Sequence, residues 1–288
     1  MNEKLLRKPV EILTLCGVRF NLAAGWSDQP NYDGLAAIIN AAIGWHINET
    51  DLDPYPLLYY RGTFRSKIAG VGTGLGISSI RVAMKFLTDN FGALDPKQYI
   101  QHVLDWEKQN GTEGGWQDQI GAIEGGFKLT VSENHRDFDI HRNDNHPIMD
   151  HIVLFDSGIR RPAKHIGDQV RILFNDRRFK AALAQNVEIA QRTFRGNAEE
   201  LALGTFDCWQ RLVSFVPEME VNKLPLLPNC WGRVFTGAGG GGWGMYFMEN
   251  PDSRQEAIGI LNNRGYDAYI PVLLNGIKHI RVTAEDQV

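Results

Sequence analysis

Four short segments of the chain pair residues that can bind an anion with residues that can move a proton. The first, Gly72-Thr73-Gly74-Leu75-Gly76-Ile77-Ser78-Ser79, stands directly before a helical pattern. Glycines let a backbone approach a ligand closely. A helix N-terminus adds free N–H groups and the positive end of a dipole, so the two together make an anion site. Ser78 and Ser79 add hydroxyls for phosphate oxygens or a metal. No Gly-Lys-Ser/Thr follows, so this is not a Walker A loop. A plain glycine turn capped by Ser78 is the alternative.

The second segment is Thr236-Gly237-Ala238-Gly239-Gly240-Gly241-Gly242. A dinucleotide fingerprint needs a helix after its glycines, and here Trp243–Met248 reads as a strand. The segment therefore predicts a hairpin whose flexible backbone touches a substrate or phosphate; a structural hairpin is the alternative. Consecutive glycines cost chain entropy, which favours a role in binding. The third segment, Gly114-Gly115-Trp116-Gln117-Asp118, sets one acid after a glycine pair. Asp118 is either an ordinary first-turn residue or a general base. The fourth, Arg19 to Asp28, puts an arginine on a strand and an acid in the next turn, where an Asx-turn is the ordinary reading.

The elements that must position these residues follow from periodicity and turn signals. Residues 11–21 read as extended. Helix-like spacing covers Leu35–Ile43, Ser78–Phe91 and Asp95–Gln109, and strand-like runs cover Gly126–Val131, Asp137–Ile140 and His151–Phe155. After Pro162 long helical patterns dominate: Ala163–Phe174, Arg178–Thr193 and Ala198–Val216. Strands at Arg233–Phe235 and Trp243–Met248, a helix at Ser253–Asn263 and strand-like ends at Asp267–Ile270 and His279–Val282 complete an α+β chain.

In their order, the four segments resemble the motifs of the GHMP kinase superfamily, which includes galactokinase, homoserine, mevalonate and phosphomevalonate kinases. Within it the chain looks most like the fucokinase and heptose 7-phosphate kinase branch. Arg19-Phe20-Asn21-Leu22-Ala23-Ala24-Gly25-Trp26-Ser27-Asp28 resembles R-[IV]-[DN]-L-x-G-G-W-[ST]-D, with Phe20 and Ala24 as departures. Gly74–Ser79 resembles G-L-G-[ST]-S-S, with Ile77 replacing a hydroxyl residue. The G-G-[WK]-Q-D-Q motif is intact at Gly114–Gln119 and G-A-G-G-G-G at Gly237–Gly242. Asp156–Ala163 loosely resembles [YF]-T-G-x-T-R-x-A.

The resemblance implies a two-domain α+β fold: a ribosomal-protein-S5-like N-terminal domain over residues 1–160 and a ferredoxin-like C-terminal domain over 161–288. It implies an ATP- and Mg²⁺-dependent kinase acting on a sugar or sugar phosphate, at an anomeric hydroxyl. Asp118 takes the place of the base and Arg19 that of the basic residue beside it. Gly72, Gly74, Gly76, Ser78, Ser79, Gly239 and Gly240 fall at nucleotide-binding positions, and Ser78 and Glu107 at those of the Mg²⁺ ligands. Asp28, Trp26 and Arg161 fall on the substrate side. Such a division of labour suits phosphoryl transfer, where positioning and charge neutralisation do most of the work. The departures at Ile77 and Ala24 leave a second class open: a GHMP-fold protein that binds a sugar or nucleotide without turnover.

Composition narrows the alternatives. Hydrophobic residues at 43% and charged residues at 22% exclude a disordered chain. A net charge of −4 offers no footprint for nucleic acid. Three cysteines without a CxxC pair argue against a disulfide framework or structural zinc. The histidines between His135 and His151 match no standard ligand spacing. No window reaches the roughly 18 apolar residues of a membrane span, and the first residues lack a signal-peptide pattern. A cytoplasmic monomer or homodimer is expected.

Overall fold

The computed structural model describes residues 11–45, 58–61, 63–66, 74–110, 114–160, 163–220 and 224–282. Gly72 and Arg161 lie outside them. The N-terminal half holds β1 (Glu11–Cys16), β2 (Val18–Asn21), β3 (Ala36–Gly44), β4 (Leu58–Arg61), β5 (Thr63–Ser66), α1 (Ile77–Asp89), α2 (Tyr99–Gln109) and α3 (Gln117–Glu124). β6 (Phe127–Ser132), β7 (Asp139–Arg142) and β8 (Ile152–Asp156) follow. Then come α4 (Ala163–Leu173), α5 (Arg177–Thr193), α6 (Ala198–Val213), β9 (Cys230–Phe235), β10 (Trp243–Met248) and α7 (Ser253–Asn263). β11 (Ala268–Tyr269), β12 (Val272–Leu273) and β13 (Lys278–Val282) close the chain.

Three sheets result. β13-β1-β4-β5 and β12-β3-β6-β7 belong mainly to the first half, with β2 paired to β3. The third runs β11-β8-β10-β9, all antiparallel. Numbered within that sheet the order is 4-1-3-2, and α4–α6 and α7 form the crossovers, which is the ferredoxin-like arrangement. Its first strand is β8, so the sheet begins before residue 160. β12 and β13 return to pair with β3 and β1.

One expected element is corrected. Leu35–Ile43 reads as helical, but Ala36–Gly44 is a strand with every residue buried. Its sheet is covered on both faces, which turns the usual alternation into a continuous apolar run. Such a run fits helix and strand periodicity alike. The other helices fall close to their expected bounds.

The second sheet positions the site. One of its faces carries Ile38 and Asn40 from β3, Lys128 and Thr130 from β6, and Arg19 from β2. All five are buried. α3 lies over this face, with Trp116 and Ile120 packed on Ala36 and Ile38. The larger core fills the space between the sheets and α5 and α6.

Candidate active site

Arg19 leaves β2 and forms an ion pair through Nη2 with Asp118 Oδ1 in the first turn of α3. The arginine is 3% exposed and the aspartate 19%. Burial pulls the guanidinium down to about 10, and the Asp28 carboxylate opposes this, so Arg19 stays charged at neutral pH. Among the described residues its Nε and Nη1 have no hydrogen-bond partner.

Gly76 caps α1 in the left-handed conformation at φ 70°, with no side-chain cap and no acid in the first turn. The N–H groups at the start of α1 are thus free for an anion. A Cβ on Gly76 would stand 3.1 Å from Asp118 Cγ and 3.2 Å from Arg19 Nε. Only glycine lets the loop lie on this ion pair. The Arg19 N–H also donates to the Leu75 carbonyl oxygen at 3.2 Å, which ties the loop to β2.

The two glycine loops touch. A Cβ on Gly237 would stand 2.6 Å from Gly74 Cα, and one on Gly74 would strike the Thr236 carbonyl oxygen. Together they wall a cleft of about 280 Å³ that holds Arg19, Asp118, Ser78, Ser79 and Trp26. Of the second glycine loop, Gly237 and Ala238 line the cleft. Gly239 and Gly240 lie buried behind it, Gly239 against Trp209.

Asp28 and Glu107 line a neighbouring cavity of about 270 Å³, and Gly114 borders both spaces. Asp28 accepts from the Gln117 N–H at 3.1 Å. Burial raises its carboxyl, while that bond and Arg19 oppose the rise. Glu107 on α2 is 4% exposed and accepts from Gln119 Nε2. Burial pushes its carboxyl up to about 7 against that bond. Asp28 Oδ1 and Glu107 Oε1 are buried and unpartnered among the described residues. Ser78 and Glu107 therefore stand on different walls, joined at Gly114.

Other residues of the motifs have structural surroundings of their own. Trp116 is core, edge-on to Phe138. Its Nε1 donates to His135 Nδ1 at 3.3 Å, and the other ring nitrogen of His135 bonds the Tyr32 carbonyl. Arg160 is held bidentately by Asp156 at 2.7 and 2.6 Å, which neutralises it as an anion contact. Trp26 and Ala24 both adopt left-handed backbone, at φ 75° and 59°. Ala24 thus occupies, with a methyl group, a conformation that glycine takes freely.

Three further polar residues, Asn21, Asn40 and Gln117, tie the site together, and of these only Asn40 lies outside the sequence motifs. Asn21 donates to Gln117 Oε1, and Asn40 donates to the Gln117 carbonyl oxygen. Gln117 could be found from its place beside Asp118; Asn40 sits inside an apolar run and could not.

No family model matches the chain, and no curated protein matches it in sequence. Solved structures do match in fold, among them kinases of the GHMP type. A D-glycero-D-manno-heptose 1-phosphate kinase from Bacteroides thetaiotaomicron aligns with TM-score 0.67 at 16% identity, over 95% of this chain and 100% of that one. A mevalonate kinase aligns with TM-score 0.64 at 13% identity, over 92% and 99%. Lactococcus lactis galactokinase, solved with galactose, aligns with TM-score 0.57 at 14% identity, over 94% and 95%. The chain has the α+β fold of GHMP kinases.

Proposed function

We propose that this chain is a sugar kinase that transfers the γ-phosphoryl group of ATP to a hydroxyl of a sugar or sugar phosphate, at the anomeric position. The observation that carries the proposal is one cleft shared by the Arg19–Asp118 ion pair, the free N-terminus of α1 and the backbone of Gly237.

Each residue has a physical task in this reading. The N–H groups at the start of α1 and the loop at Gly74–Gly76 hold phosphate oxygens. Arg19 directs unpartnered donors at the group in transfer and keeps Asp118 ionised. Asp118 accepts the proton of the acceptor hydroxyl as its oxygen bonds to phosphorus. Asp28 orients another hydroxyl through its free Oδ1. Mg²⁺ suits the donors present, since it takes one or two protein oxygens and keeps its other places for phosphates and water. Ser78 in the cleft and the unpartnered Glu107 Oε1 in the neighbouring cavity are the candidate donors on separate walls, and an ion held by either would neutralise phosphate charge.

The test is ADP release from ATP and Mg²⁺ over a panel of aldoses, deoxyhexoses, heptoses and their phosphates. Acceptor-dependent ADP formation with a phosphorylated product is expected. ATP binding without ADP release on the whole panel would instead identify a binding protein without turnover.

A further inference from the structure

α3 has eight residues and carries Asp118 in its first turn. A helix this short does not hold itself in water. Trp116 at the N-cap makes no side-chain bond and the last turn has no basic residue, while Gly125 closes the C-terminal end by donating its N–H to the Gly121 carbonyl oxygen. The sheet beneath makes a side-chain contact at each end.

Asn40 on β3 and Lys128 on β6 are directly opposed in the strand register. Asn40 Nδ2 donates to the Gln117 carbonyl oxygen at 3.1 Å, at the start of α3. Lys128 Nζ donates to the carbonyl oxygens of Gly125 at 2.8 Å and Gly126 at 3.4 Å, at its end. Both side chains are fully buried. One cross-strand pair thus holds both ends of the helix.

Lys128 is an expensive way to fill that space. A buried ammonium loses hydration, and an apolar side chain of similar volume often costs less. Glu124, Asp144, Arg142 and Cys16 face it, and none of them forms an ion pair with it among the described residues. Its partners are the carbonyl oxygens of Gly125, the C-cap of α3, and of Gly126 just after it, close to the helix end where the macrodipole favours a cation. On the same face, α3 rests on the site directly: a Cβ on Gly121 would run into Arg19 Cγ and stand 3.7 Å from Asn40 Nδ2. An axial slip of α3 therefore moves Asp118 against Arg19.

We propose that Asn40 and Lys128 form a cross-strand clamp that fixes α3 along its axis, which makes Lys128 a positioning residue for Asp118. The clamp is a matter of structure; its link to catalysis rests on the kinase reading above. Misplacing a reacting group by about 1 Å can cost on the order of a hundredfold in rate.

Lys128→Met keeps the length of the side chain and removes its donors. Amide hydrogen exchange over residues 117–124 reads the clamp without turnover. Exchange about tenfold faster or more is expected there, with α5 and β10 unchanged. Unchanged exchange in α3 overturns the clamp. If this variant does not fold, Asn40→Ala is measured in the same way, with faster exchange expected at residues 117–120. In kinetics, Lys128→Met should lower kcat about tenfold or more with the KM for ATP within about twofold. Placed on Asp118→Asn it should cause no further loss, because it acts through that carboxylate. An equal loss in both backgrounds overturns the positioning role. A native chain inactive on every sugar, with exchange as expected, overturns the kinase reading and leaves the clamp standing.

Discussion

Gly74 and Gly237 meet backbone to backbone, at φ 83° and 66°. A methyl group on either would collide with main chain of the other loop rather than with a side chain that can swing away. The contact sets the width of the cleft.

Gly237→Ala should therefore cost twice: about 1–2 kcal/mol for the left-handed backbone, and more for pushing the loops apart. Denaturant unfolding should show a loss of about 2 kcal/mol or more, and nucleotide titration an affinity lower by about tenfold, or roughly 1.4 kcal/mol. Gly92→Ala is the control. Gly92 has φ 80° and nothing within 4 Å of its added Cβ, so it should lose stability only and bind nucleotide normally. Equal nucleotide affinity in both variants would mean that the loop contact does not shape the site.

Arg19→Lys keeps the charge and removes the planar fork. A buried lysine cannot face both Asp118 and a phosphoryl group with separate donors. kcat should fall about a hundredfold, the scale of losing one preorganised donor to a developing charge. The fold should persist, because the charge beside Asp28 and Asp118 is kept. Steady-state kinetics with a melting curve checks both points; native turnover in this variant would rule out a directional role for Arg19.

Glu107 gives a pH signature. Its folded carboxyl titrates near 7, above the ordinary 4.5. Between those values the folded chain keeps a proton that the unfolded chain has released. The stability this confers is present at low pH and lost as pH rises through the window. Without metal, thermal melts should show this loss between pH 5 and pH 7.5, about the span of the two values. Mg²⁺ should restore stability mainly above pH 7, where the carboxylate is free to bind it. Glu107→Gln should flatten the slope and abolish the Mg²⁺ effect. A variant with the same pH slope as the native chain would assign the slope to other groups.

Much of the site is legible in the sequence because its parts are local. A glycine loop before a helix can be read without knowing the fold, and so can an acid after a glycine pair. The contacts that tune the site are not local. Asn40 reaches Gln117 only because β3 is a strand in one register with β6, and the apolar run around it reads equally as helix. Lys128 looks like an ordinary charged strand residue until Gly125 and Gly126 turn the chain beneath α3. Glu107 turns into a different cavity from Ser78, a separation set by how α2 packs on α3 and invisible in the spacing of the two residues.

In the proposed kinase reaction the mechanism turns on Asp118. A sugar hydroxyl is a poor nucleophile at neutral pH, and a fixed carboxylate can take its proton as the bond to phosphorus forms. Such general-base help runs to about 10²–10⁴-fold. Asp118 is placed for it, at the first turn of α3, paired with Arg19 and partly exposed to the cleft. Asp118→Asn keeps the shape, and its amide oxygen can still meet Arg19, but it accepts no proton at neutral pH. kcat should fall at least about a hundredfold, and kcat/KM with it, as for an interaction made mainly in the transition state. Nucleotide affinity should be nearly unchanged, because the start of α1 and the glycine loops remain. A large loss of ATP affinity in this variant would mean that the ion pair holds the nucleotide instead of the acceptor. Near-native turnover on the true acceptor would remove Asp118 as the base and leave positioning by Arg19 and the α1 N-terminus as the source of the rate.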